Sequence, residues 1–127
     1  YRPNLPRERV RLIGPLADAE LPLFYSAAAV LVNASLYEGF GLTLVEAMAC
    51  GCPVIALRRS AVPEVTGDAA LLLDEPTEAA LARALVAVVG APATAASYRA
   101  FGLLRATEFS WARAARAVEA AYLRAIP

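Results

Sequence analysis

Residues 29–57 read AVLVNASLYEGFGLTLVEAMACGCPVIAL. The apolar run at 29–33 (AVLVN) predicts a strand, and 34–42 is a glycine-bearing loop. Residues 43–49 predict a helix that stops at Gly51, a residue free to take the positive φ of a helix C-terminus. The run at 53–57 (PVIAL) predicts a second strand. Strand, loop, helix and strand in that order make a βαβ unit. Strands that are apolar throughout, rather than alternating, belong to a parallel sheet covered on both faces.

Working outward, residues 10–14 (VRLIG) predict a further strand behind a polar, proline-bearing lead-in over 1–9. Asp18 stands where it can cap a helix over 19–28, with Pro22 tolerated in the first turn. Downstream, 63–65 predicts one helical turn before Gly67, and 70–73 (ALLL) another strand. Helices are expected over 77–89, 93–107 and 111–125. The last has the clearest period: Trp111, Ala114, Ala115, Val118, Tyr122 and Ala125 share one stripe, with Arg113, Arg116, Glu119 and Arg124 elsewhere. Ser110 is its natural N-cap. The stripe has two possible destinations, this chain's own sheet or another surface. The fold class is α/β, and ligands in such sheets bind outside the carboxyl ends of the strands. The loops to inspect therefore follow residues 14, 33, 57 and 73.

Composition bounds the partners. The 127 residues suffice for one domain, and the 59% hydrophobic share includes much alanine, which favours closely packed helices. All 12 basic residues are arginine and are balanced by 12 acidic ones, so no electrostatic footprint for nucleic acid exists. Histidine is absent, so any imidazole base must come from elsewhere. Cys50 and Cys52 flank Gly51, too close for an ordinary disulfide and too few for a zinc site; they read as small buried residues in a reducing compartment. No run approaches the ~18 apolar residues of a membrane span.

The chemistry sits in residues 35–46. Gly39 and Gly41 let the backbone turn tightly and approach a ligand, and the N–H groups at the following helix start form an anion site suited to phosphate. Glu38 and Glu46 bracket that site. Carboxylates repel phosphate but accept hydrogen bonds from hydroxyls, and a nucleotide sugar offers hydroxyls on both sides of its diphosphate. Two structural alternatives stay open: the glycines serve a tight turn, and Thr43-x-x-Glu46 is a capping box in which Glu46 bonds back to the Thr43 backbone. A dinucleotide fingerprint requires a third glycine where Leu44 stands, which argues against NAD. Arg58 and Arg59 follow the strand at 53–57, on the ligand edge, as a solvated pair or as phosphate contacts.

The run LYEGFGLTLVEAMACGCPVIA resembles the signature of the group 1 (family 4) glycosyltransferases. Two glutamates separated by seven residues (Glu38 and Glu46), GFGL between them, and EAMACG followed by PV carry the match. LPLFYSAAAVLVNAS, VPEVTGDAALLLD and FSWARAA agree with it, from about Val10 onward. Asn33-Ala34-Ser35 and Thr43 depart from the family pattern, where prolines are common.

The resemblance implies the GT-B fold, two Rossmann-like domains facing across a cleft, with residues 1–127 forming the C-terminal part of the second, donor-binding domain. In the strand order 3-2-1-4-5-6, VRLIG would be strand three and the remainder four to six. The first domain and the strands bearing a basic diphosphate clamp would lie outside this chain. The implied function is transfer of a sugar from a UDP-, GDP- or ADP-linked donor to an acceptor with retention of configuration, without a metal or other cofactor. By position, Glu38 faces the donor sugar and orients it, Gly39, Phe40, Gly41 and Leu42 with Thr43 meet sugar and diphosphate, and Glu46 grips the ribose diol. The implied location is cytoplasmic, with peripheral membrane attachment open for a parent enzyme, and self-association through an unpaired strand edge is expected of the chain alone. The alternative is a truncated, non-catalytic nucleotide-sugar-binding or interaction module.

Overall fold

The computed structural model describes residues 8–126. In chain order the elements are α1 (Leu21–Ala27), β1 (Leu31–Asn33), α2 (Leu42–Ala49), β2 (Val54–Leu57), α3 (Val62–Thr66), β3 (Ala70–Leu73), α4 (Glu78–Val89), α5 (Pro92–Ala106) and α6 (Trp111–Ala125). The strands form a parallel sheet in the order β1-β2-β3, with Leu31 opposite Val54 and Leu57 opposite Leu73.

β2 is central and buried along its whole length, which is why it has no polar residue. Its pleat sends Val54 and Ala56 to one face, where they join Leu44, Ala47 and Met48 of α2. Ile55 points to the other face, with Ala84 and Val88 of α4. α5 lies close against α2 because Gly102 has no side chain: a Cβ there would stand 3.3 Å from Met48 Cγ. The N-caps of the last part of the chain follow ordinary chemistry. The Thr77 hydroxyl accepts from the Ala80 N–H (3.2 Å) and Ser110 from the Arg113 N–H (3.2 Å).

Two local expectations are corrected. Residues 10–14 form no strand and lie exposed, with Leu12 74% accessible. In a 3-2-1-4-5-6 order the third strand pairs with the second, so β1 is not its expected partner. Among the described residues the outer edge of β1 is therefore unpaired. Asp18 does not cap α1 either. The helix begins at Leu21 with Glu20 in the cap position, and the Glu20 carboxylate accepts from the Ala17 N–H at 2.9 Å. The expected lead-in falls largely outside the described residues.

The stripe on α6 does not return to the sheet. No residue of α6 is buried, and Trp111 is 82% exposed.

Candidate functional site

The carboxyl ends of the strands lead into residues 34–41 after β1, residues 58–60 after β2 and Asp74 after β3. Glu38 is the best-held residue of the first loop. Its Oε1 accepts from Asn33 Nδ2 at 3.1 Å, while Asn33 Oδ1 accepts from the Ser35 N–H at 2.9 Å, closing an Asx-type turn off the end of β1. The Ser60 hydroxyl donates to the Glu38 carbonyl at 2.7 Å. Ser60 holds a φ of +51°, a left-handed conformation that a serine adopts only when its surroundings enforce it. Hydrogen bonds from Asn33 first and then Ser35 keep the Glu38 carboxyl below its ordinary range. At neutral pH it is a charged acceptor, suited to hydroxyls and unsuited to giving up a proton.

The start of α2 is shaped by Gly41, which takes φ +95° in the N-cap position with no side-chain cap on the helix. A Cβ on Gly41 would lie 2.9 Å from Leu44 Cδ1, so the fold itself requires glycine there. Gly39 differs: its φ is not left-handed, and an added Cβ would meet nothing within 4 Å. Leu42 and Thr43 stand exposed in the first turn. Their N–H groups lie at the positive end of the helix dipole, where an anion is favoured.

The capping box at Thr43 and Glu46 is not formed. With Gly41 as N-cap, Thr43 already lies inside the helix, and Glu46 Oε2 instead accepts from the Tyr25 hydroxyl at 3.2 Å. Burial first, then the Glu46 charge and this hydrogen bond, raise the Tyr25 pKa, so the phenol remains a donor to Glu46. Glu46 itself is exposed, with its second oxygen available.

Phe40, between the two glycines, packs edge-to-face on Phe109, with ring centroids 5.6 Å apart and planes at 80°. Arg58 and Arg59 are exposed, and both reach Asp74. Arg58 Nε pairs with Asp74 Oδ1 (2.8 Å), and Arg59 Nη2 donates to the Asp74 carbonyl (2.9 Å). They clasp the loop after β2 to the loop after β3. The Arg58–Asp74 pair is exposed and contributes at most about 1 kcal/mol. The Cys52 thiol is buried, which raises its pKa and leaves it a packing residue.

Tyr25, Asn33, Ser60 and Phe109 were not among the residues expected from sequence. Asn33 at a strand end, two residues before Ser35, is a recognisable turn signal. Ser60 and Phe109 reach the loop, and Tyr25 reaches α2, from distant parts of the chain, and they leave no local mark.

The family described as Glycosyl transferases group 1 matches residues 2–90. The chain belongs to that family. Among the relatives of this group 1 chain, the O-antigen chain mannosyltransferase B of Escherichia coli is 38% identical over 102 residues, 80% of this chain and 27% of the relative. The MMP alpha-(1->4)-mannosyltransferase of Mycolicibacterium hassiacum is 38% identical over 115 residues, 87% of this chain and 28% of the relative. In three dimensions the group 1 chain is similar to sucrose-phosphate synthase from Thermosynechococcus elongatus, a GT-B glycosyltransferase, with a TM-score of 0.83 and 34% identity. That likeness covers 92% of this chain and 30% of the synthase. The chain thus spans less than a third of the length of the relatives it matches.

Proposed function

We propose that this chain supplies part of the donor site of a retaining glycosyltransferase that uses a nucleotide-diphosphate sugar. The observation that carries the reading is one continuous arrangement: a charged, well-held Glu38, an uncapped start of α2, and Glu46 presented by Tyr25. Glu38 accepts from hydroxyls of the donor sugar and orients it. The N–H groups of Leu42 and Thr43 meet the diphosphate, with Gly39, Phe40 and Gly41 allowing close backbone approach. Glu46 accepts from the ribose diol. Retention follows if the acceptor attacks on the face that the phosphate leaves and the leaving phosphate takes the acceptor proton; Glu38 then has no nucleophilic role. The relatives named as mannosyltransferases fit a hexosyl donor.

Glu46→Gln tests this in the full-length protein. Glutamine keeps an acceptor for Tyr25, and Glu46 caps nothing, so the melting temperature is expected to hold. The affinity for UDP, GDP or ADP, measured by titration calorimetry, is expected to fall by roughly 1.5–3 kcal/mol, the range for hydrogen bonds to charged groups. Unchanged affinity for whichever diphosphate binds the wild type rejects the ribose role.

The same reading makes the chain one part of a larger donor domain. Among the described residues its sheet has three strands with β1 unpaired at its outer edge, and Leu12, Ile13, Trp111 and Tyr122 are exposed. An unpaired apolar edge is a template for association. The 127-residue chain alone is therefore expected to self-associate, and sedimentation velocity giving a stable monomer at high concentration contradicts this.

A further inference from the structure

Between Gly39 and Gly41 the loop carries a single side chain, Phe40, and its ring meets Phe109 edge-to-face. The two glycines contribute backbone freedom and no side-chain anchor. The Gly41 carbonyl is held by the Leu44 and Val45 N–H groups (3.0 and 3.4 Å), so what holds Phe40 bears on the backbone of residues 39 and 40. Phe109 is itself held. It lies in the turn between α5 and α6, its N–H bonded to the Ala106 carbonyl at 3.1 Å. The Arg105 guanidinium stands 5.1 Å from the Phe109 ring centroid, a cation–π contact.

Arg105 is fixed in turn by three acceptors. Nε donates to the Val65 carbonyl (2.9 Å), Nη2 to the Glu64 carbonyl (2.6 Å), and Nη1 pairs with the Glu108 carboxylate. Those carbonyls belong to α3, which begins two residues after Ser60, the residue that holds the Glu38 carbonyl. The loop is thus gripped twice: at Glu38 by Asn33 and Ser60, and at Phe40 by Phe109 backed by Arg105.

We propose that Phe109 is a positioning residue for the donor site: through Phe40 it sets where the backbone of residues 39 and 40 stands ahead of α2, and so governs donor affinity without touching the donor. The inference rests on the donor-site function proposed above. An aromatic pair contributes through its geometry as well as its area. Losing the ring should therefore release the loop, whereas another aromatic should keep it.

The experiment compares Phe109→Ala, Phe109→Leu and Phe109→Tyr in the full-length protein, with Glu46→Gln alongside. Readouts are affinity for UDP, GDP and ADP by calorimetry and the melting temperature; with UDP-glucose and GDP-mannose as donor probes, donor KM and kcat are separated. Phe109→Ala and Phe109→Leu are expected to weaken diphosphate binding about tenfold and to raise donor KM more than they lower kcat. Phe109→Tyr is expected to stay within about twofold of the wild type, because the edge-to-face contact survives. A purely structural Phe109 would lower the melting temperature and the active fraction while leaving affinity and KM unchanged. That result in the folded Leu variant overturns the proposal, and so does failure of Tyr to rescue. If Phe109→Ala does not fold, the Leu and Tyr variants decide. Weaker binding in Glu46→Gln with unchanged binding in the Phe109 variants refutes the positioning role alone. No binding of any diphosphate by the wild type refutes the donor-site function, and the positioning role with it.

Discussion

Glu38→Gln in the full-length protein is expected to lower kcat/KM about a hundredfold, the penalty for a substrate displaced by about an ångström at the reacting centre. The fold should not notice. Glutamine still offers an oxygen to Asn33, and the bond from Ser60 goes to the backbone carbonyl, which the substitution leaves in place. What is lost is the charge, and hydrogen bonds to a charged acceptor are roughly twice as strong as neutral ones. Steady-state kinetics and a melting curve on the same preparation check this. A fall of less than about threefold at an unchanged melting temperature removes Glu38 from the donor site.

The pH dependence has a definite sign. Glu38 is held below the ordinary carboxylate range by Asn33 first and Ser35 second, so it stays a charged acceptor into acid and loses that role only as pH falls through its lowered pKa. Asn33→Ala removes the larger cause and should move the acid limb of kcat/KM to higher pH.

Gly41→Ala should destabilise the fold by about 1–3 kcal/mol, since an L residue is strained at φ +95° and the new methyl meets Leu44 at 2.9 Å. Leu44 is wholly buried and cannot yield without disturbing Met48 and Val54 beside it. A drop of several degrees in melting temperature follows at this size of domain. Gly39→Ala is the informative companion. Its backbone is not left-handed and the methyl enters open space, so stability should be unchanged. Weakened nucleotide-diphosphate binding in that variant would mean that the bare backbone at residue 39 serves the ligand rather than the turn. Denaturation of both variants, with calorimetry of the second, separates what the fold needs from what the site needs. A Gly41→Ala variant as stable as the wild type contradicts the geometry.

The order of elements was legible in the sequence because burial writes it locally. ALLL at 70–73 coincides with β3, and 111–125 coincides with α6, where Ser110 caps as its position suggested. β2 could be read as a central strand because every one of its residues is buried. The strand-to-helix loop at 34–42 was equally legible, since two glycines between an apolar run and a helical one leave few other conformations. The residues expected to bear the chemistry all lie on that loop or the helix it opens. VRLIG shows the limit: an apolar run becomes a strand only when it pairs, and residues 10–14 pair with no strand although the outer edge of β1 is open among the described residues.

Partner choice belonged to the tertiary structure. Thr43-x-x-Glu46 spells a capping box, yet Gly41 in the left-handed region starts α2 early enough to put Thr43 inside it. Glu46 then turns to Tyr25, 21 residues away. Arg58 and Arg59 show no partner in sequence, yet β3 brings Asp74 beside them while they stay exposed, and nothing near Phe40 in sequence announces Phe109. Hydrophobic periodicity and backbone preference act over a few residues, so the sequence alone determined the elements from α1 to α6 and the loop after β1, but not the pairing that VRLIG lacks. Hydrogen bonds and ring contacts act only within a few ångströms, so the neighbours of Glu38, Phe40 and Glu46 were decided when the sheet brought distant segments to one edge.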